Sequence, residues 1–435
     1  MKWKPYRPRQ RKLESREQVD RGRKKRQMGK LCKLSEEMVG QFLSRLPPKA
    51  LMRFKCIHKS WYNLITSPSF IAKNLSNSKN NKFASTTRIL FKRTVLKDIK
   101  DKNEIFYVLR DNNNDRRDIF LSLLDLCNDN DGDDQNLHSV VDDLIVPLPF
   151  SICPFSLQIA GHCDGLICLV NIVNEEVALC NPAIKEFKFL PRSSLLLPRR
   201  HPEDDDGIES DVNAVGFGYD SKTQDYKIVR VITYITGIAY TLPSKAEVYT
   251  LSSHSWREIK IDKECHVFWT PSFEIHFRGI YYWSALTYPT PGADKEAIFA
   301  FDMSEETFEE IPIPDGICAR DGIIKFLAVW KESVALISCK GDGPKSFDIW
   351  VMDDSSGIKG SWTKHLVIGP IECEIPLVFW KSDELLLVIS DGRVVSYHLG
   401  NKTIKYLPIH GVEDPQYIQA VVCVNSMISV KKTKG

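Results

Sequence analysis

The sequence predicts an α+β chain of two unequal domains: a small three-helix domain, then a large all-β domain built as a propeller of six to eight blades, with a β-sandwich as the alternative arrangement. Three observations predict it. Apolar residues recur at helical spacing from Leu34 to Leu75. After Pro147, short runs rich in β-branched and aromatic residues alternate with turn residues. One hairpin-like theme then returns five times at blade-like spacing.

At 435 residues the chain exceeds what one small core organises, which fits one small and one large folding unit. Apolar residues make up 43% and charged residues 26%, and no run of eighteen apolar residues could cross a bilayer as a helix, so no membrane partner is expected. The 12 cysteines are scattered, which reads as free thiols in a reducing compartment, the cytoplasm. The net charge of +3 hides an asymmetry. Residues 1–30 hold thirteen Lys/Arg against Glu14, Glu17 and Asp20, leaving the body at −7, a balance that favours basic partners and argues against that body gripping nucleic acid. The divisions expected are a disordered basic tail over 1–30, the helical domain over 31–76, a linker with first strands and an acidic loop over 77–146, and the all-β domain over 147–432. Arg21, Arg23, Lys24, Lys25 and Arg26 in the tail offer a nuclear-import signal or a nucleic-acid arm, against a solvated tail or leader.

In the helical domain Ser35 can cap a helix whose first turn carries Glu36 and Glu37, with Met38, Phe42, Leu43 and Leu46 on one face, until Pro47 and Pro48 stop it. A second helix carries Leu51, Phe54, Ile57, Trp61, Leu64 and Ile65. A third, short one begins near Pro68 and packs Phe70, Ile71 and Leu75 back. Forty residues lie near the limit of independent folding, so a partner surface is expected to complete this unit.

In the acidic segment, Asp129, Asp131 and Asp133 match the start of a calcium loop, but the twelfth position is Val140 where a Glu is needed. The segment therefore reads as a solvated connection. Beyond it, LCNPAIKEFKFLP, VYTLSSHSWREIKI, AFDMSEETFEEIPIP, VMDDSSGIKGSWTKHLVI and SYHLGNKTIKYLPI share a strand end, a polar turn and a second strand. Their anchors Asn181, Thr250, Asp302, Asp353 and His398 lie 69, 52, 51 and 45 residues apart, a kelch-type blade period. Trp256, Trp362 and Tyr406 are expected as wedges between blades, as are Trp283, Trp350 and Trp380.

The segment LSEEMVGQFLSRLPPKALMRFKCIHKSWYNLITSPSFIAKNL resembles an F-box along its whole length, through Leu34, the acidic pair before Met38, Leu46-Pro47, Leu51, Arg53-Phe54, Lys59-x-Trp61, Leu64 and Pro68-x-Phe70. Ser35 departs from the usual Leu-Pro opening. The rest resembles the plant F-box-associated, kelch-like domain, through Asn181-Pro-Ala183, Gly216-Phe-Gly-Tyr-Asp220, Asp225-Tyr-Lys-Ile-Val-Arg230, Val248-Tyr249, Ser255-Trp256 and Gly279-x-x-Tyr-Trp283. Within plants it looks closest to S-locus F-box proteins and their brother-like relatives, through RFKCIHKSWYNLI, Asp348-Ile-Trp-Val-Met-Asp-Asp354, Ser361-Trp-Thr363, Ile368-Gly-Pro370 and Phe379-Trp-Lys-Ser-Asp-Glu-Leu385.

This resemblance implies a non-catalytic substrate-recognition subunit of an SCF-type ubiquitin ligase. The F-box would bind a Skp-type adaptor and, through it, a cullin. The β-domain would recruit a protein, in the S-locus reading a basic S-RNase in pollen, for ubiquitination by proximity. A regulator of plant immune or stress signalling and a glycan-binding propeller are the alternatives. The adaptor-facing and inter-helix residues would be Leu34, Leu46, Pro47, Leu51, Phe54 and Trp61. Substrate reading is expected on loops at Arg199–Asp211, Tyr234–Ser244, Leu286–Lys295 and Lys340–Ser346, the first offering Glu203, Asp204, Asp205, Asp206, Glu209 and Asp211 to a basic partner. No G-x-S-x-G, H-E-x-x-H, phosphate loop or C-x-x-C occurs, and His162, Cys163 and Cys168 lack a second paired cluster, so neither cofactor nor metal is expected.

Overall fold

The computed structural model describes residues 36–80, 86–96, 117–127, 141–144, 157–173, 175–197, 208–236, 239–261, 265–267, 274–290, 293–317, 323–340, 344–353, 361–409 and 417–431. The basic tail, Leu34, the calcium-like run and Glu203 to Asp206 fall outside them. The chain divides into two units, Met1–Asn77 and Ser78–Gly435.

In the first unit the described helices are α1 (Glu36–Leu43), α2 (Pro48–Phe54), α3 (Lys59–Thr66) and α4 (Pro68–Asn80). Pro47 and Pro48 begin α2, where a missing N–H costs nothing. The single second helix expected from the apolar spacing is instead α2 and α3. The chain breaks between them at Cys56-Ile57-His58, and the His58 ring accepts the backbone N–H of Ser60 at 3.2 Å to cap α3. Leu43, Leu51, Ile65 and Phe70 form the core. The exposed C-terminal carbonyls of α1 are met from α4, whose Asn74 amide donates to Ser44 O (2.9 Å) and Leu46 O (3.2 Å), with Asn77 donating to Ser44 O at 3.1 Å.

The second unit is a six-bladed propeller of antiparallel sheets. From the inside outward, blade 1 is β25 (Gln419–Cys423), β1 (Thr86–Leu96), β2 (Arg117–Cys127) and β3 (Val141–Leu144). Blade 2 is β4 (Leu157–Cys163), β5 (Leu166–Asn171), β6 (Glu176–Asn181) and β7 (Glu186–Phe189). Blade 3 is β8 (Glu209–Asp220), β9 (Asp225–Thr236), β10 (Ala239–Thr250) and β11 (Ser255–Ile259). In blade 4, β12 (Cys265–Val267) and β13 (Glu274–Phe277) share the edge of β14 (Ile280–Thr290), followed by β15 (Ala293–Asp302) and β16 (Phe308–Pro312). Blade 5 is β17 (Ile323–Trp330), β18 (Ser333–Lys340), β19 (Lys345–Met352) and β20 (Trp362–Ile371). Blade 6 is β21 (Cys373–Lys381), β22 (Glu384–Ile389), β23 (Val394–His398) and β24 (Ile404–Tyr406).

Strand periodicity explains the ring. Alternate side chains face opposite neighbours, so Ile89 and Phe91 of β1 pack on blade 6 while Leu90 packs on blade 2. One apolar cluster fills each of the six blade junctions. The segment read as linker and first strands supplies three strands of blade 1, and β25 completes that blade by pairing with β1 from Arg88↔Cys423 to Lys92↔Gln419. The seam with blade 2 is held by the Gln419 amide, which accepts the N–H of Ile159 at 2.8 Å and donates to its carbonyl at 3.2 Å.

The five-fold theme is the hairpin joining the outer two strands of a blade. Four residues after each anchor, Lys185, His254, Glu306 and Lys402 adopt φ of 56, 57, 56 and 60°. In three copies the N–H of that residue donates to the anchor carbonyl: His254 to Thr250 (3.0 Å), Glu306 to Asp302 (2.8 Å) and Lys402 to His398 (3.0 Å). The turn after Asp353 lies outside the described residues.

The aromatic wedges divide. Trp283 is buried and donates to Val215 O at 3.2 Å across a junction. Trp256 and Trp362 open outer strands and staple them to the blade before, donating to Pro191 O (2.7 Å) and Pro312 O (2.8 Å). Trp380 is buried in the cluster between blades 6 and 1 with Ile89 and Phe91, donating to Ser396, and Trp350 packs against the cluster between blades 4 and 5. Tyr406 is no wedge: it stands on the outer strand β24, 55% exposed, beneath the Arg393 guanidinium, because no further strand covers that edge.

Candidate functional site

Two surfaces can carry a partner, one in each unit. In the helical unit the large apolar side chains left in solvent are Met38 and Phe42 on α1, Met52 on α2, Ile57 in the α2–α3 break and Tyr62 on α3, with Phe42 65% and Ile57 62% exposed. Met38 and Phe42, one helical turn apart, were expected on one apolar face with Leu43 and Leu46; of these Leu43 is buried and Leu46 half-buried, while Met38 and Phe42 stand in solvent. So much exposed apolar surface on so small a unit makes it the candidate site for an apolar partner.

Of the residues expected at the adaptor, Leu51 is wholly buried and acts through inter-helix packing. Phe54 and Trp61 are half-buried against each other, centroids 5.5 Å apart and edge to face, and Leu46 is half-buried. Pro47 is exposed, and Leu34 lies outside the described residues. None of the large exposed apolar side chains of this unit was among the residues expected at the adaptor. The signal was there in the surplus of apolar residues around α1.

In the propeller, the meander topology decides which loops share a face. Inner-to-second and third-to-outer turns emerge at one end. Second-to-third hairpins and blade-to-blade connections emerge at the other. All four loops expected to read substrate, following β7, β9, β14 and β18, therefore open on the same end. Two stand out. The β9–β10 hairpin runs twelve residues a side and the β14–β15 hairpin eleven and ten; with β1–β2 of blade 1, eleven residues a side, these are the longest hairpins on that end. Glu209 and Asp211, at the start of β8, are exposed there.

The motifs that carried the likeness to the F-box-associated domain lie elsewhere, inside the junctions of blades 2, 3 and 4. Gly216 and Gly218 leave room on β8 for blade 4: a Cβ on Gly216 would meet the Trp283 ring at 2.6 Å, and one on Gly218 the His276 ring at 2.6 Å. Through this gap Tyr281 reaches blade 2 and donates to Ala160 O at 2.7 Å. Asp220 closes the β8–β9 turn and holds Lys227 at 2.6 Å. The same Lys227 ammonium reaches Glu306 (2.7 Å) and Met303 O (2.8 Å); although burial works against it, the Asp220 carboxyl is held well below the usual range by Lys227, the hydroxyls of Thr223 (2.6 Å) and Ser304 (2.7 Å) and the Lys222 N–H (2.8 Å), all donating to it. Arg230 pairs with Glu247 inside the blade and lies 4.1 Å over the Trp256 ring.

Burial also sets the protonation of this region. His162 on β4 and His276 on β13 are each pulled down to about 4, so both rings are neutral near pH 7, and the Glu274 carboxyl is pushed well up. Glu274 Oε1 and His276 Nε2 are sealed from solvent. Burial likewise pushes up the thiols of Cys168 and Cys180, and of Cys423 to about 12. Among the described residues no three His, Cys, Asp or Glu side chains converge as a metal site.

Both units match known families. The family model of the F-box domain matches residues 31–73, and that of the F-box associated beta propeller domain matches residues 124–430. An F-box/kelch-repeat protein of Arabidopsis thaliana is 24% identical over 90% of this chain and 96% of its own. The F-box protein CPR1 of Arabidopsis thaliana is 23% identical over 90% and 88%. Among solved structures, a protein of a family of unknown function from Bacteroides caccae aligns over 76% of this chain and 92% of its own at 11% identity and a TM-score of 0.33, too loose a likeness to carry an argument.

Proposed function

The chain belongs to the F-box-associated beta propeller family and carries an F-box domain, and from that premise we propose that it is the substrate-recognition subunit of an SCF-type ubiquitin ligase. The observation that carries the reading is the exposed apolar face of Met38, Phe42, Ile57 and Tyr62 on the F-box unit, the surface offered to a Skp-type adaptor and through it to a cullin. The propeller end bearing the β9–β10 and β14–β15 hairpins presents the substrate. No nucleophile is needed, because the rate gain comes from holding a substrate lysine near the charged conjugating enzyme.

The test is co-purification with a Skp-type adaptor. A Phe42→Ala/Ile57→Ala chain removes exposed side chains only and should lose the adaptor by on the order of tenfold or more, as central apolar anchors do, with its helical circular dichroism retained. Full recovery of adaptor by that folded variant refutes the assignment of the face. Leu51→Ala is the wrong test, since it opens the core.

The finer reading, a basic S-RNase as substrate in pollen, is supported by the S-locus-like stretches alone. These run along α2 and α3 and along β19 to β22, where Ile65, Ile349, Ile368, Phe379, Trp380 and Leu385 are buried. Capture of S-RNases from style extract by the full chain, abolished by replacing the two long hairpins with short turns, tests it. Equal capture after that replacement rejects it.

A further inference from the structure

We propose that Ser429 is a phosphorylation switch that releases a C-terminal strap from the propeller. The inference is independent of the ligase reading. Beyond β25 the chain continues over residues 424–431 without regular structure, yet it is held at every step. Arg88 donates to Asn425 Oδ1 at 2.6 Å. The buried Asn181 amide donates to Ser426 O (3.2 Å), Ser426 Oγ (3.2 Å) and Ile428 O (2.8 Å). Met427 and Val430 are buried, Val430 in the core between blades 2 and 3 beside Leu166, Leu179 and Tyr226. Gly165 lets the strap pass, since a Cβ there would stand 2.5 Å from Val424 O.

The last anchor is one carboxylate. Glu186 Oε2 accepts both the Ser429 hydroxyl at 2.6 Å and the Val430 N–H at 3.2 Å. Ser429 Oγ also lies 3.2 Å from Lys431 O and accepts the Lys431 N–H at 3.2 Å, but a hydroxyl has one proton and the shorter contact to Glu186 takes it. Ser429 is only half-buried, so the hydroxyl lies near solvent two residues before the last described one.

A protein kinase moving the γ-phosphoryl group of ATP onto Oγ forms the Oγ–P bond as the bond to ADP breaks, and the hydroxyl proton leaves to solvent. The one donor that Glu186 accepts from this side chain is then gone. A group of about −2 charge stands against the carboxylate in its place, an arrangement that expels the segment carrying it. Val430 loses its N–H acceptor with the same movement. The strap runs straight into β25, so its release reaches the strand that closes the ring.

Charge must be the lever, which makes the test specific. In full-length chains, amide hydrogen exchange over residues 424–430 should run about tenfold or more faster in Ser429→Asp than in the neutral, equally sized Ser429→Asn, and faster again with phosphoserine incorporated at 429. Glu186→Lys in the Ser429→Asp background should bring exchange back to the Ser429→Asn level. Equal exchange in the Asp and Asn chains, or no rescue by Glu186→Lys, overturns the proposal. If Ser429→Asp does not fold, exchange in the phosphoserine chain measured against Ser429→Asn decides between the same two outcomes.

Discussion

Gly216→Ala is expected to destabilise the propeller by about 2–4 kcal/mol, and the sign comes from the structure alone. Gly216 sits in strand β8 with no left-handed backbone to excuse it, so alanine in open space there would stabilise by about 0.4–1 kcal/mol through the unfolded chain. The space is not open. The new methyl would stand 2.6 Å from Trp283 Cζ2 and 2.7 and 2.8 Å from Tyr281 Cγ and Cδ1, against an ordinary carbon separation of roughly 3.5–4 Å. Both rings must retreat by about 1 Å, and both are pinned, Trp283 to Val215 O and Tyr281 to Ala160 O. Overpacking costs roughly 1–3 kcal/mol and each buried bond given up about 1 more, which outweighs the gain from the unfolded chain. Urea unfolding of the full chain, followed by tryptophan fluorescence, reads the shift in midpoint. A Gly216→Ala chain as stable as its parent would mean that the motif glycines do not make room for blade 4.

Three further outcomes follow from the same structure. Acid should weaken the propeller: the rings of His162 and His276 stay neutral when folded down to about 4 but charge at 6.5 when unfolded, so the unfolded chain binds two more protons in that window and stability falls as pH falls. Burial pushes the Glu274 carboxyl up, which acts in the opposite sense, so the fall in stability with acid should be steeper in Glu274→Gln. Melting curves from pH 6.5 to 5 with one slope for both chains would contradict this. Gln419→Leu should cost about 2–4 kcal/mol, since it strands the N–H and C=O of Ile159 at the ring seam, and faster amide exchange along β4 and β25 is its signature. Glu332→Gly should stabilise by about 0.5–1 kcal/mol, because Lys331 and Glu332 hold φ of 48 and 60° in a two-residue turn where the equivalent Asp164-Gly165 and Arg278-Gly279 turns use glycine. A lower melting temperature would count against that account.

The fold was legible where local chemistry repeats. Strand runs of period two and the outer-hairpin theme sufficed for a propeller, and the anchors Asn181, Thr250, Asp302 and His398 take equivalent places in four blades. Blade number stayed open because it depends on pairing at long range: blade 1 joins Thr86 to Cys423 through strands from both ends of the domain, and no local pattern encodes that. The helix break at Ile57 was missed because apolar spacing runs on through it, while the stop is made by a histidine cap. The binding face was half legible. Leu51, Phe54 and Trp61 were found because burial leaves a strong pattern. Phe42 and Ile57 were placed on apolar helix faces but not among the adaptor residues, because sequence spacing cannot distinguish an apolar residue that faces a helix from one kept for a partner. The glycines of the Gly216-Phe-Gly218 motif looked like family markers. Their role needed the neighbouring blade to be seen.

Closure of the ring by β25 also sets an order of events. Blade 1 can be finished only when Gln419–Cys423 has been made, some three hundred residues after the β1 strand it must join. Until then β1 has an open edge, and the faces that will become its two junctions stay uncovered. Blades 2 to 6 can form as local meanders while synthesis proceeds, so the slow step and the period of greatest exposure to aggregation both fall at the end. A chain cut short before Gln419 would carry an intact F-box on a propeller that cannot shut. In a cell it would compete for the adaptor while presenting an open sheet edge, so shortening the chain from that end would yield an inhibitor of its own assembly.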